Sequence, residues 1–268
     1  VASLQGRHEG VRFTLGLSAT PEREYDEAGT AFIEAEIGPV VYRFDLEDAI
    51  RQGILCPFDY VPLEYVLTDD DARRLQNVWK MKAARQRQGK PMSQEEVAIE
   101  LAKVYKTAEM KPSVFEDWVS DKAHVLKDCI IFVETKEYGE RVLPIIHKHT
   151  LNYKTYYAED ESKYLEKFAD GDLDCLITCH KVSQGIDLPA LKTVVLFSSA
   201  RAKLETIQRI GRCLRIDRTN PDKRALVVDF VLDYGDDETE GNAGKADGKR
   251  SEWLSSLSRV GPENVDGN

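Results

Sequence analysis

Apolar runs and amphipathic stretches alternate along residues 128–230. CIIFV, CLIT, VVLF and ALVV are unbroken apolar runs that place strands at Asp128 to Val133, Leu173 to Thr178, Thr193 to Phe197 and Arg224 to Phe230. A further strand is expected at Lys154 to Tyr157. Runs of this kind suit strands covered on both faces, as in a parallel sheet. Helical periodicity fills the gaps, over Lys136 to His149, Glu161 to Ala169 and Ala202 to about Ile216. The order predicts a doubly wound α/β domain. In such sheets the chemistry gathers beyond the carboxyl ends of the strands.

The first part of the chain reads differently. Val11 to Leu17 alternates as a strand and ends in Ser18-Ala19-Thr20-Pro21, where proline stops regular pairing. Asp45 and Asp48 predict a capped helix over Leu46 to Gln52, with Gly53 ending it in a left-handed conformation. A strand at about Asp59 to Leu67 follows, then helical patterning to about Lys127. Within that stretch Ser93 and Glu96 form a capping box and Pro112 opens a helix. This segment reads as a helical insertion at about 69–127. Its basic run of Arg73, Arg74, Lys80, Lys82, Arg85, Arg87 and Lys90 reads first as a solvated face, with a nucleic-acid backbone contact as the alternative. After Tyr234, GDDETEGNAGKADGKR has the composition of a flexible linker, and Trp253 to Val260 is a short apolar patch able to dock as a last helix.

Composition narrows the picture. The 268 residues can bury a full core, and a net charge of −10 means that any polyanion contact must come from a local patch. Neither a signal peptide nor a membrane span is expected, so the chain reads as cytoplasmic. Cys56, Cys129, Cys175, Cys179 and Cys213 are an odd number, some inside apolar runs, and read as reduced thiols. Cys175, Cys179 and His180 are close in sequence. Strand alternation sets His180 on the opposite face, and zinc is not expected.

One local patch stands out, Gln208-Arg209-Ile210-Gly211-Arg212-Cys213-Leu214-Arg215. At about 100° per residue, Gln208, Arg212 and Arg215 fall within roughly one 60° sector, opposite Ile207, Ile210 and Leu214. One face packs and the other presents two guanidiniums, whose planar forks grip phosphate oxygens in pairs. Gly211 beside them lets a partner approach closely. An amphipathic helix with a solvated basic face is the alternative.

Taken together, SATP at 18–21, IIFVET at 130–135, ITCHKVSQGIDLP at 177–189 and QRIGRCLR at 208–215 resemble, in order, motifs III to VI of superfamily 2 helicases and translocases. DNA repair and restriction types are the most similar in flavour. The resemblance implies a RecA-like doubly wound parallel sheet with helices on both faces and a helical insertion. It divides the chain into a remnant of a first motor domain (1–22), a second RecA-like helicase domain (23–235), and a linker and tail (236–268).

The resemblance also implies roles. Arg212 and Arg215 match arginine fingers that reach the γ-phosphate of ATP, and Gln208 couples nucleotide state to domain closure. Gly185 and Asp187 match nucleotide-side residues of motif V. Thr135 and Thr178 match hydroxyls that position nucleic-acid phosphates, although a helix N-cap explains Thr135 equally well. Ser18 and Thr20 match the motif coupling hydrolysis to DNA movement.

Two departures matter. An acidic turn, Tyr156-Tyr157-Ala158-Glu159-Asp160, stands where the family has a small glycine-containing one, and no GxxxxGK[ST] phosphate loop exists in the sequence. The expected cofactor, ATP with Mg2+, would therefore be bound mainly by a first RecA-like domain upstream in a longer parent, and this chain alone is not expected to hydrolyse ATP. DNA is the expected partner, with RNA not excluded and no membrane. The readings left open are a catalytic helicase C-terminal domain and a non-catalytic binding or scaffold module derived from one.

Overall fold

The computed structural model of the protein describes residues 12–18, 27–157, 159–179, 188, 190–198, 203–234 and 242–262. Its centre is a six-stranded sheet of β1 (Phe58–Tyr65), β2 (Cys129–Phe132), β3 (Tyr153–Tyr156), β4 (Cys175–Thr178), β5 (Thr193–Leu196) and β6 (Ala225–Leu232). Every pairing is parallel, in the order β1-β6-β5-β2-β4-β3. The apolar runs become strands because both faces are covered. Ile130, Phe132, Leu176, Val194 and Leu196 enter one core, while Ile131, Val133, Ile177, Val195 and Phe197 enter the other. The architecture is the expected RecA-like one.

The first core is closed by α2 (Leu46–Arg51), α7 (Lys163–Ala169), α8 (Lys203–Cys213) and α9 (Asn242–Ser258), which contribute Ile50, Leu165, Ile210 and Leu254. The second is closed by α5 (Lys111–Val119) and α6 (Lys136–His147) through Phe115, Val119, Val142 and Ile146. Local signals set the helix starts. Asp45 and Asp48 form a reciprocal capping box on α2, and Gly53 beyond its end has φ +64°. Another box, Ser93 with Glu96, starts α4 (Gln94–Lys106).

The helical insertion is a hairpin of α3 (Asp69–Arg87) and α4, followed by α5, and it leaves from the carboxyl end of β1. It is tied down on α6 by three contacts. Tyr138 Oη donates to the Ala108 carbonyl at 2.7 Å, Arg141 holds Glu109 at 2.7 and 2.8 Å, and Lys148 pairs with Glu116. In the basic run, Arg74 donates to Asp71 and to the Thr107 carbonyl, while Lys82 lies over Trp79.

Two sequence expectations change. Residues 12–18 form no strand, and Phe13, Leu15 and Leu17 stay 81%, 81% and 89% exposed, because no described strand lies beside them to pair with. Part of the glycine-rich stretch after Tyr234 is helical, since α9 begins at Asn242. Tertiary contact overrides composition there. Arg250 of α9 reaches the buried Asp229 at 2.8 Å, and Leu254 and Leu257 are buried in the core, so the apolar patch docks as expected. A short α1 (Glu27–Glu36) precedes these elements.

Candidate functional site

Because all strands are parallel, their carboxyl ends share one edge. From β2 the chain turns through α6 toward β3, and from β5 it turns through α8 toward β6, so the crossover directions diverge between β2 and β5. That switch point is where doubly wound sheets open a crevice. Phe132 and Thr135 border it from β2, and Phe197 and Ser198 border it from β5.

Helix α8 starts near this edge, with Arg209 on Ser198, and runs over the sheet face to the amino ends of the strands, where the Leu214 carbonyl meets Cys56 just before β1. Ile210, Cys213 and Leu214 are buried, Gln208 is exposed, and Arg212 is half-buried. Partial burial lowers the Arg212 pKa, and the charge of Arg215 lowers it further, so the two guanidiniums feel one another. A Cβ added at Gly211 would meet no described atom within 4 Å, so packing among the described residues does not require glycine there.

The single helical sector drawn for Gln208, Arg212 and Arg215 needs one correction. The helix ends at Cys213, and Arg215 lies beyond it in a bridge with Leu55. The cause is local pairing. The Cys56 amide donates to the Leu214 carbonyl at 2.8 Å, which draws the chain out of the helix.

The threonines have defined work. Thr135 is exposed and caps α6, its hydroxyl accepting the Tyr138 amide at 3.2 Å. Glu137 shares that helix start, and hydrogen bonds from its own backbone amide and from Thr135 lower its pKa. Thr178 is buried and its hydroxyl donates to the Tyr156 carbonyl at 2.7 Å, so as placed it serves the strand ends. The acidic turn closes on itself, with the Tyr157 amide donating to Asp160 at 2.6 Å. Ser18 is exposed, whereas Thr20, Gly185, Asp187 and His180 lie outside the described residues.

Several site residues escaped sequence reasoning. Arg209, only 6% exposed, donates to the carbonyl and hydroxyl of Ser198 at 2.6 and 3.1 Å, with its guanidinium 4.9 Å over the Phe132 ring. Lys111, buried at the start of α5, donates to the Phe197 carbonyl at 3.0 Å. Consecutive carbonyls at the end of β5 thus receive an ammonium from the insertion and a guanidinium from α8. The only sequence signal was for Arg209, which falls off the cationic sector; a lysine opening a helix reads as solvated.

Among the described residues no group of three or more His, Cys, Asp or Glu could hold a metal, and no helix is long and apolar enough to cross a membrane.

Comparison with known proteins agrees with this layout. Residues 110–217 match the family described as helicase conserved C-terminal domain. The chain is 24% identical over 238 residues to the DNA 3'-5' translocase XPB2 of Sulfurisphaera tokodaii, covering 82% of this chain and 52% of that protein. It is 28% identical over 246 residues to a Halobacterium salinarum protein assigned as a DNA 3'-5' helicase, Rad25, covering 90% of this chain and 35% of that one. Among solved structures, the fragment assigned to an HsdR subunit of a type I restriction enzyme from Vibrio vulnificus YJ016 aligns with a TM-score of 0.51 at 16% identity. It covers 83% of this chain and 40% of that one, a likeness of fold. The chain spans about a third to a half of the length of the curated relatives it matches.

Proposed function

We propose that the chain, whose residues 110–217 match the helicase conserved C-terminal domain family, is the second RecA-like motor domain of an ATP-dependent superfamily 2 DNA helicase or translocase. One observation carries the reading. Arg212 is half-buried near the end of α8, and Arg215, just past the helix end, lies close enough for its charge to act on it. A pair of guanidiniums this close suits a polyanion, because each planar fork can take phosphate oxygens two at a time.

The polyanion in this reading is the triphosphate of ATP with its Mg2+, contributed mostly by a first RecA-like domain. In this reading the phosphate cradle and metal carboxylates come from that partner domain, since this sequence has no GxxxxGK[ST]. Bound ATP supplies a phosphoryl group whose transfer builds charge on its oxygens. Arg212 and Arg215 stabilise that charge, with an effect on the order of 10³-fold in rate. Gln208, exposed one turn before Arg212, meets the partner domain as the interface closes. Gly185 and Asp187 complete the nucleotide side, and Ser18 and Thr20 belong to the coupling segment. The exposed alternation of Phe13, Leu15 and Leu17 suits a strand completed by the partner domain.

DNA is supported as the track by relatives named as a DNA translocase and a DNA helicase. Thr135, at an exposed helix start, is the residue best placed to position a backbone phosphate there, in exchange for Glu137. Thr178 contacts DNA only if its bond to Tyr156 opens. The protein acts in the cytoplasm on DNA.

The test is DNA-stimulated ATP hydrolysis by a protein carrying both motor domains, with Arg212 and Arg215 changed singly to alanine. Retained hydrolysis in both variants would contradict the proposal.

A further inference from the structure

The chain beyond α8 returns on itself. Asp217 and Asn220 form a bridge, the Asn220 amide donates to the Asp217 carbonyl at 3.0 Å, and the Lys223 amide donates to the Asn220 carbonyl at 3.1 Å. Asp217 Oδ1 also accepts from the amide and hydroxyl of Thr219, at 2.9 and 2.6 Å. This turn carries the side chain of Lys223 back beneath the residue that began it. Lys223 is 3% exposed, and its ammonium donates to the carbonyl of Arg215 at 2.8 Å.

The carbonyls at a helix end lack intrahelical partners and need others. Here the last carbonyl of α8 and the two that follow it receive partners from elsewhere in the fold. The Cys213 carbonyl faces the Cys56 thiol at 3.7 Å, the Leu214 carbonyl accepts the Cys56 amide, and the Arg215 carbonyl accepts Lys223. Leu55, next to Cys56, bridges Arg215.

Burying an ammonium is unfavourable, and burial does lower the Lys223 pKa. The groups facing it are the Cys56 and Cys213 thiols and Asp217, which favour its charge, and Lys192, which opposes it. The negative end of the α8 dipole adds favourable interaction. The hydrogen bond on the Arg215 carbonyl is where the buried ammonium meets the main chain that follows α8.

We propose that Lys223 is a positioning residue for Arg215. Through the carbonyl it fixes the main chain of the second arginine, so that the guanidinium meets the phosphate in one place when the motor closes. The proposal rests on the functional reading above and adds to it a residue that touches no ligand. A donor held about 1 Å from its place can lose about a hundredfold in rate.

The experiment is a double-mutant cycle of Lys223→Met and Arg215→Ala in the protein carrying both motor domains, with kcat and the KM for ATP measured separately. Lys223→Met is expected to lower kcat about 10- to 100-fold at unchanged KM. In the Arg215→Ala background it should cost nothing further, because its target is gone. A loss of the same size in both backgrounds, or no loss in either, overturns the proposal while leaving the motor assignment intact. If Arg215→Ala alone is harmless, the motor role of Arg215 fails and the proposal fails with it. Should Lys223→Met not fold, Lys223→Gln, which keeps a neutral donor, carries the same cycle. Hydrogen exchange reads the structural half directly: the amides of Cys56 and Arg215 should exchange faster in the variant, and unchanged exchange there contradicts the anchoring.

Discussion

Arg209 grips Ser198 by its main chain, donating to the carbonyl at 2.6 Å where the chain leaves β5 at the switch point. The guanidinium also lies on the Phe132 ring, so α8 is joined to both strands that flank the crevice. Lysine reproduces neither the fork nor the stacking. Arg209→Lys should lower stability by about 1–3 kcal/mol, read by urea denaturation, and reduce ATPase activity along with it. A variant with wild-type stability and low activity would instead make Arg209 a phosphate ligand.

The pair of Asp229 and Arg250 is buried on both sides at 2.8 Å, and Tyr60 donates to the same carboxylate at 3.2 Å. Removing one partner of a buried ion pair costs about 3–5 kcal/mol, whereas replacing both by apolar groups can be neutral. Asp229→Asn should fall toward the low end of that range, because Asp247 still holds Arg250 at 2.8 Å. Asp229→Leu with Arg250→Met should recover most of the loss. Denaturation midpoints of the wild type, Asp229→Asn, Asp229→Leu, Arg250→Met and the double variant check this, and an additive double variant would contradict it.

Alkaline stability is set by opposing groups. Burial raises the thiol pKa of Cys56, Cys129 and Cys213, and raises Cys179 to about 11. Unfolded thiols ionise near 8.5, so above that pH the unfolded state releases protons the fold retains, and stability falls. Lys111 works the other way. Burial lowers it to about 8, partly offset by Asp247 and Asp229, while an unfolded lysine holds its proton to about 10.4. Between those values its share of stability rises with pH. Lys111→Met should therefore make the decline between pH 8 and 10 steeper, by up to about 1 kcal/mol per pH unit. An unchanged slope would show that Lys111 does not titrate there.

Gly211 separates stability from function. Nothing described lies within 4 Å of an added Cβ, and alanine is about 1 kcal/mol better inside a helix. Gly211→Ala should raise the melting temperature of this chain yet lower DNA-stimulated ATPase at least about tenfold, if the face beside Arg212 closes against another domain. A gain in stability with full activity would remove that face from the interface.

The sheet was legible because CIIFV, CLIT, VVLF and ALVV each sit between two helical layers, and burial on both faces leaves a continuous apolar run. Caps were legible as well, since Asp45 with Asp48 and Ser93 with Glu96 act within four residues. The site was only half visible. Helical position set Arg212 opposite the packed face of α8, but the same wheel carried Arg215 past the point where the Cys56 amide ends the helix. Lys111, Asp229 and Lys223 take their meaning from partners far along the chain or from the turn that returns to them, and no local pattern distinguishes such residues from a solvated surface. The same holds for Asn242 to Arg250, glycine-rich and charged, whose helix rests on Asp229.

The central claim is that Arg212 acts on ATP held by another motor domain. Its most direct test is single-turnover ATP hydrolysis with saturating DNA in a protein carrying both domains, wild type against Arg212→Ala, with ATP affinity measured on the same samples. The account predicts near-equal ATP binding and hydrolysis slowed at least about a hundredfold. Equal hydrolysis rates, or loss of activity that merely follows loss of ATP binding, would contradict it.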